Sequence, residues 1–193
     1  MLVCLVALWL GAAAARAQGS GEVTSLQLDH TPQGLYLSAT LQLELPDLVE
    51  SALYKGISVS FVTEAEVVRQ RWYWYDKTVA RATRYLRLSY QPLTRRWRLA
   101  QSPTAFGASG LGVSLGQNFD ELSDALASMQ RIARWKIADE GEVEENAPYL
   151  VHFQLRLDMS QLPRPLQIGA VGRSGWNMVL TRSLRLPVDE AAR

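Results

Sequence analysis

From Leu35 to Leu45 every second residue is apolar (Leu35, Leu37, Ala39, Leu41, Leu43, Leu45), and Tyr36, Ser38, Thr40, Gln42 and Glu44 stand between them. A period of two places alternate side chains on opposite faces of extended backbone, so this run predicts a long strand with one face buried. Thr24, Leu26 and Leu28 predict a preceding strand, and His30-Thr31-Pro32-Gln33-Gly34 has the turn chemistry to join the two as a hairpin. Tyr149, Val151, Phe153, Leu155 and Leu157 alternate as cleanly near the other end of the chain. Between them, Ile57, Val59 and Phe61 open a further strand, Ala82, Leu86, Leu88 and Tyr90 another, and Trp97 with Leu99 a third after the turn Pro92-Leu93-Thr94. Carrying the odd-numbered face on from Phe61 would bury Arg69 and Arg71, so a bulge or a switch between sheets is expected before Trp72. Trp135 and Ile137 mark a short strand, and Trp176 to Leu186 a last one.

Helical spacing is rarer. Pro46 stops the early strand, and Asp47 with Glu50 has the form of a capping box for a short helix ending near Gly56. Asn118 and Glu121 have the same form ahead of Phe119, Leu122, Leu126 and Met129, spaced three or four apart. Ser102 to Gln117, rich in small residues and without a period, reads as a loop, and Ser160 to Pro165 as a proline turn. About seven to nine strands with two short helices predict an all-β, mainly antiparallel domain, an immunoglobulin-like β-sandwich.

The first residues read as an address. Leu2 to Ala15 carries no charge, and Ala15-Arg16-Ala17 has the small-x-small pattern of a signal-peptidase site. The run is shorter than the roughly 20 residues that span a bilayer as a helix. A signal peptide over 1–17 is therefore expected, with cleavage between Ala17 and Gln18, a periplasmic or secreted product, and no transmembrane segment in the mature chain. No Lys or Arg precedes the apolar run, a departure from the usual leader. The single cysteine, Cys4, lies inside that leader. Residues 18–193 then form one domain without a disulfide, a thiolate nucleophile or a cysteine metal ligand, which suits a bacterial periplasmic protein that relies on its core.

Removing Arg16 leaves 19 of the 20 basic residues against 19 acids. A net charge of zero supplies no field to draw nucleic acid or a membrane surface. The charges are nevertheless segregated. Eight arginines (Arg69, Arg71, Arg81, Arg84, Arg87, Arg95, Arg96, Arg98) and Lys77 face the single acid Asp76, whereas Asp139 to Glu145 holds five acids and no base. The two stretches could neutralise each other across the fold, or the basic one could meet a partner.

Candidate chemistry is thin. A nucleophilic triad needs a base beside a serine, and only His30, in the expected turn, and His152, on the polar side of a strand, are available. Neither is spaced with a second ligand as a zinc site requires. The acidic stretch lacks the alternating ligands of a calcium loop and reads as solvated. No metal and no cofactor is expected. Trp72-Tyr73-Trp74-Tyr75 is the exception, because on a strand Trp72 and Trp74 share one face and Tyr73 and Tyr75 the other, more than a one-sided core can take. Either the tryptophans fill the core and the tyrosines lie along arginine stems, or the run is an aromatic platform beside Arg81, Arg84 and Arg87 that holds a sugar or an anionic peptide.

Gly56-Ile57-Ser58-Val59-Ser60-Phe61, then Arg71-Trp72-Tyr73-Trp74-Tyr75-Asp76 running into Arg84-Tyr85-Leu86-Arg87-Leu88-Ser89-Tyr90 and Leu93-Thr94-Arg95-Arg96-Trp97-Arg98-Leu99, and finally Leu157-Asp158-Met159-Ser160-Gln161-Leu162-Pro163-Arg164-Pro165-Leu166 occur in that order. Together they resemble a family of exported proteobacterial proteins, domain of unknown function 4390, over roughly Glu22 to Pro187. The resemblance implies export, no established activity, and genes that neighbour a membrane sensor kinase of the nitrogen-regulation type. By that analogy the sensor is the candidate partner in the cell envelope.

The expected function is that of an exported interaction module, not an enzyme, with Trp72, Tyr73, Trp74, Tyr75, Arg81, Arg84 and Arg87 as its partner or ligand surface. The alternative is a cell-envelope hydrolase or a glycan-binding protein using the Trp72–Asp76 segment, which as a hydrolase would need a second carboxylate near Asp76.

Overall fold

The computed structural model describes residues 21–71, 75–106, 115–144, 147–164 and 174–187. The expected leader and its expected cleavage junction Ala17–Gln18 lie outside them. The alternating segments form the expected antiparallel β-sandwich with two short α-helices, nine strands being described. The strands are β1 (Gly21–Thr31), β2 (Gly34–Leu43), β3 (Val59–Arg69), β4 (Lys77–Gln91), β5 (Arg96–Ser102), β6 (Leu115–Phe119), β7 (Arg131–Asp139), β8 (Tyr149–Asp158) and β9 (Val179–Arg185). A three-stranded sheet has the order β1-β2-β7 and a six-stranded sheet the order β6-β5-β4-β3-β8-β9, every pairing antiparallel.

Burial follows the alternation. Leu35, Leu37, Ala39, Leu41 and Leu43 of β2 face Val59, Phe61, Ala65 and Val67 of β3 and the odd-numbered residues Tyr149 to Leu157 of β8 in one core. The small sheet covers only part of the large one. The helix α1 (Asp47–Tyr54) closes one end, with Tyr54 edge-on to Tyr90 at 5.5 Å and to Trp97 at 5.2 Å between ring centroids. The helix α2 (Leu122–Gln130) packs against β2, β5, β6 and β7 through Ala125 and Met129.

Several local expectations change. Neither capping box forms. The cap of α1 is Pro46, whose carbonyl accepts from the amides of Val49 and Glu50 at 2.8 and 3.1 Å, while Asp47 and Glu50 place their charge in the first turn, where it complements the helix dipole. The cap of α2 is Glu121, and Asn118 lies instead in β6 opposite Arg98. Leu115, Gly116 and Gln117, expected in a loop, begin that same strand, and Phe119 belongs to it rather than to the helical stripe. Edge strands of five residues carry too little alternation to stand out from a glycine-rich connection. In β1 the register slips between Val23 and Ser25, so Thr24 bulges outward and Val23 takes the buried place expected of it. His30 is the penultimate residue of β1, opposite Leu35, rather than part of the turn.

The bulge expected before Trp72 exists, but on the partner strand. Pairing steps from Val67–Ala80 to Val68–Thr78, which leaves Val79 of β4 as the extra residue. β3 itself keeps its parity, so Arg69 does face inward, at the end of the sheet opposite Tyr149. Its guanidinium is held there by both carboxylate oxygens of Glu144, at 2.8 and 2.9 Å.

Candidate functional site

β4 carries three of the expected surface residues, and strand parity divides them. Ala80, Ala82, Leu86 and Leu88 face the core with Arg84, whereas Arg81 and Arg87 face outward. Trp72, Tyr73 and Trp74 lie outside the described residues. Tyr75 is 97% exposed, and the backbone amide of Arg71 donates to Asp76 Oδ1 at 3.4 Å.

On the outward face Arg81 donates to Glu66 Oε1 at 2.8 Å, and the Thr78 hydroxyl donates to the same oxygen at 2.7 Å. These two bonds, Arg81's first, hold the Glu66 carboxyl below its ordinary range, and Arg81 is raised by the same contact. A depressed carboxylate contributes stability that is present above the unfolded value, near 4.5, and lost as pH falls through the lower folded value. Because the pair is open to solvent the effect is small. Glu66→Gln is expected to flatten the acid limb of the stability–pH curve just below pH 4.5, checked by urea midpoints across that range. An unchanged acid limb would remove Glu66 from the account.

Arg87 lies over the Phe106 ring at 4.2 Å, and burial there pushes its guanidinium down from its ordinary value. Arg96 pairs with Asp120 at 3.1 Å, while Arg98, exposed and on the same outward face as Arg87, lies against Gly116. Among the described residues neither Arg87 nor Arg98 meets a carboxylate.

The acidic stretch is tethered rather than simply solvated. Lys136 Nζ pairs with Asp139 at 2.6 Å, the Asp139 amide donates to Glu142 Oε2 at 2.7 Å, Val143 is buried, and the Glu144 amide donates to the Tyr149 hydroxyl at 3.2 Å while its carboxylate binds Arg69. Of the basic stretch, Arg69 is thus the residue that these acids neutralise among the described residues. His152, exposed on β8, shares a 2.8 Å hydrogen bond between Nδ1 and Ser183 Oγ, and His30 belongs to the other sheet.

A protein-family model described as a domain of unknown function (DUF4390) matches residues 18–184. The chain belongs to that family. No curated protein and no solved structure matches it. Among its described residues no helix is long and apolar enough to cross a membrane.

A second feature lies on the inward side of β4. Between the sheets, Thr63, Arg84, Gln101, Gln117, Met129 and Arg131 are among the residues lining a cavity of about 110 Å³. Arg84 stands directly opposite Thr63 in the β3–β4 pairing, and its Cζ lies 4.9 Å from the centre of the Trp135 ring of the other sheet. The signal for the inward arginine was present, since the stripe Ala82, Leu86, Leu88 and Tyr90 includes position 84. The approach of Trp135 had no such signal.

Proposed function

We propose that this DUF4390 chain is an exported binding domain without turnover, and that it engages an acidic partner on the outward face of β4 and β5. The observation that carries the reading is the distribution of arginines on that face. Arg81 and Arg96 are neutralised by Glu66 and Asp120, whereas Arg87 and Arg98 on adjacent strands have no carboxylate among the described residues. Guanidinium groups held on a rigid sheet, one stacked on an aromatic ring, suit carboxylate-rich surfaces, and their field steers encounter on a chain of near-zero net charge. Export is supported by the leader pattern and by a family match that begins at Gln18. A membrane sensor kinase is the partner that the family's gene neighbourhood suggests.

The surface is narrower than the residue types alone imply, because Arg84 points away from it. The test is capture of proteins from a periplasmic and membrane extract by the mature chain, comparing wild type with Arg87→Glu/Arg98→Glu, the two arginines of that face without a carboxylate among the described residues. Reversing two charges is expected to weaken capture about tenfold or more, with the larger difference at low salt. Capture of the same proteins at equal strength by both forms would exclude this face as the binding surface.

A further inference from the structure

The fold turns Arg69, Arg84 and Arg182 toward the space between its sheets, and the first and last of these are satisfied by protein oxygens. Arg69 holds Glu144 through both carboxylate oxygens. Arg182, opposite the buried Phe153, reaches across to β1 and donates to the carbonyls of Val23 and Thr24 at 2.6 and 3.1 Å. Arg84 differs. Its guanidinium lies over Trp135, and no carboxylate or carbonyl accepts from it among the described residues.

Desolvating a cation is costly unless an anion or several acceptors replace its water, and a ring face recovers only part of that cost. Burial pushes Arg84 down from its ordinary value, with no neighbouring charge acting the other way. A long stem that merely carried its head out to solvent would not leave the guanidinium against an inter-sheet tryptophan. Thr63, opposite Arg84, is 0% exposed, and its Oγ1 lacks a hydrogen-bond partner among the described residues. Such orphaned buried hydroxyls are rare in folded proteins and call for an explanation.

The cavity beside these groups has a consistent character. None of its lining residues is acidic, and Arg131 adds a second cation. The Ser128 hydroxyl donates to Gln117 Oε1 at 3.3 Å, which leaves the Gln117 amide hydrogens for another acceptor. Leu86, Leu99, Met129 and Ile132 supply apolar wall. At about 110 Å³ the space is somewhat smaller than the roughly 150 Å³ apolar cavity known to admit benzene.

We propose that the inter-sheet cavity at Arg84 and Thr63 binds a small organic carboxylate, a carboxyl group on a short apolar body. The guanidinium takes the carboxylate oxygens, the Thr63 hydroxyl donates to one of them, and the leucine, methionine and isoleucine side chains enclose the tail. Arginine suits this role because its planar donors match a carboxylate in pairs. The site is separate from the outward face of β4 and β5, so neither reading depends on the other.

The test uses the purified full chain with propionate and butyrate, short enough for a space of this size, as probes, and butyramide and inorganic phosphate as comparisons, read by calorimetric titration and by the shift in Tm. Wild type is expected to bind at least one of the two carboxylates saturably with a rise in Tm, and to ignore butyramide, which has the shape of butyrate without the charge. Arg84→Gln is expected to weaken binding more than tenfold, and Thr63→Val, which keeps volume and removes the hydroxyl, severalfold. Arg84→Lys retains charge without the paired donors and is expected to fall between wild type and Arg84→Gln. Failure of wild type to bind either carboxylate, equal binding of butyramide, phosphate binding as tight as the better carboxylate, or affinity unmoved by both Arg84→Gln and Thr63→Val would each overturn the proposal. The wild-type comparison of the better carboxylate with butyramide decides the matter even if a variant fails to fold.

Discussion

Phe61→Ala is expected to lower the unfolding free energy by about 3–5 kcal/mol, the range for truncating a buried phenylalanine. Phe61 is 0% exposed and stands between Leu86 of β4 and Leu157 of β8 at the centre of the six-stranded sheet. Its neighbours belong to paired strands whose backbone hydrogen bonds resist collapse into the space the ring would leave, so the cavity term is retained. For a domain of this size the loss corresponds to roughly 6–20 °C in Tm. Urea denaturation of wild type and variant measures it directly, and a loss under about 1 kcal/mol would mean that the β3–β4–β8 core is not packed as described.

Gly34→Ala is expected to damage the three-stranded sheet severely. Gly34 closes the β1–β2 hairpin opposite Thr31 and also pairs with Asp139 of β7, so two strands meet at it. Its φ of +131° is strained for any residue with a Cβ, and an added methyl would stand 2.3 Å from the Ala138 carbonyl oxygen, a backbone atom that cannot swing aside. The backbone conformation alone costs about 1–3 kcal/mol, before separation of β7 from β2 is counted. The expected signature is a stability loss together with faster amide exchange at Tyr36 and Lys136, which pair next to it. Wild-type exchange in that ladder would show that the sheet accommodates the methyl without opening.

The two arginine arrangements illustrate how one strand can serve different ends. On β4 the outward Arg81 and Arg87 sit where charge can meet another molecule, and the inward Arg84 sits where charge must be compensated inside. They are three residues apart, so a strand necessarily separates the middle one from the outer two. Charge density counted along the chain merges what the pleat divides.

The strands themselves were legible because alternation is a local property. In β2 and β8 each residue's face depends only on its parity, and the buried positions are those that the apolar pattern marks. Local signals failed where an element is short or where pairing rather than sequence sets the count: the five-residue β6, the outward slip at Thr24, the extra Val79 opposite an unbroken β3, and the proline cap of α1. The inward place of Arg84 could be derived from the stripe on either side of it.

By itself, then, the amino-acid sequence determined the class of fold, the main strands, the family and the segregation of charge, since periodicity and motif spacing act between near neighbours. Only the tertiary structure decided which charges are compensated. Glu144 meets Arg69 across 75 residues of chain, the Val23 carbonyl meets Arg182 across 159, and Trp135 rather than an acid meets Arg84. Those meetings depend on how two sheets stack and slide before locking, a relation between distant segments that leaves no mark at any one of them.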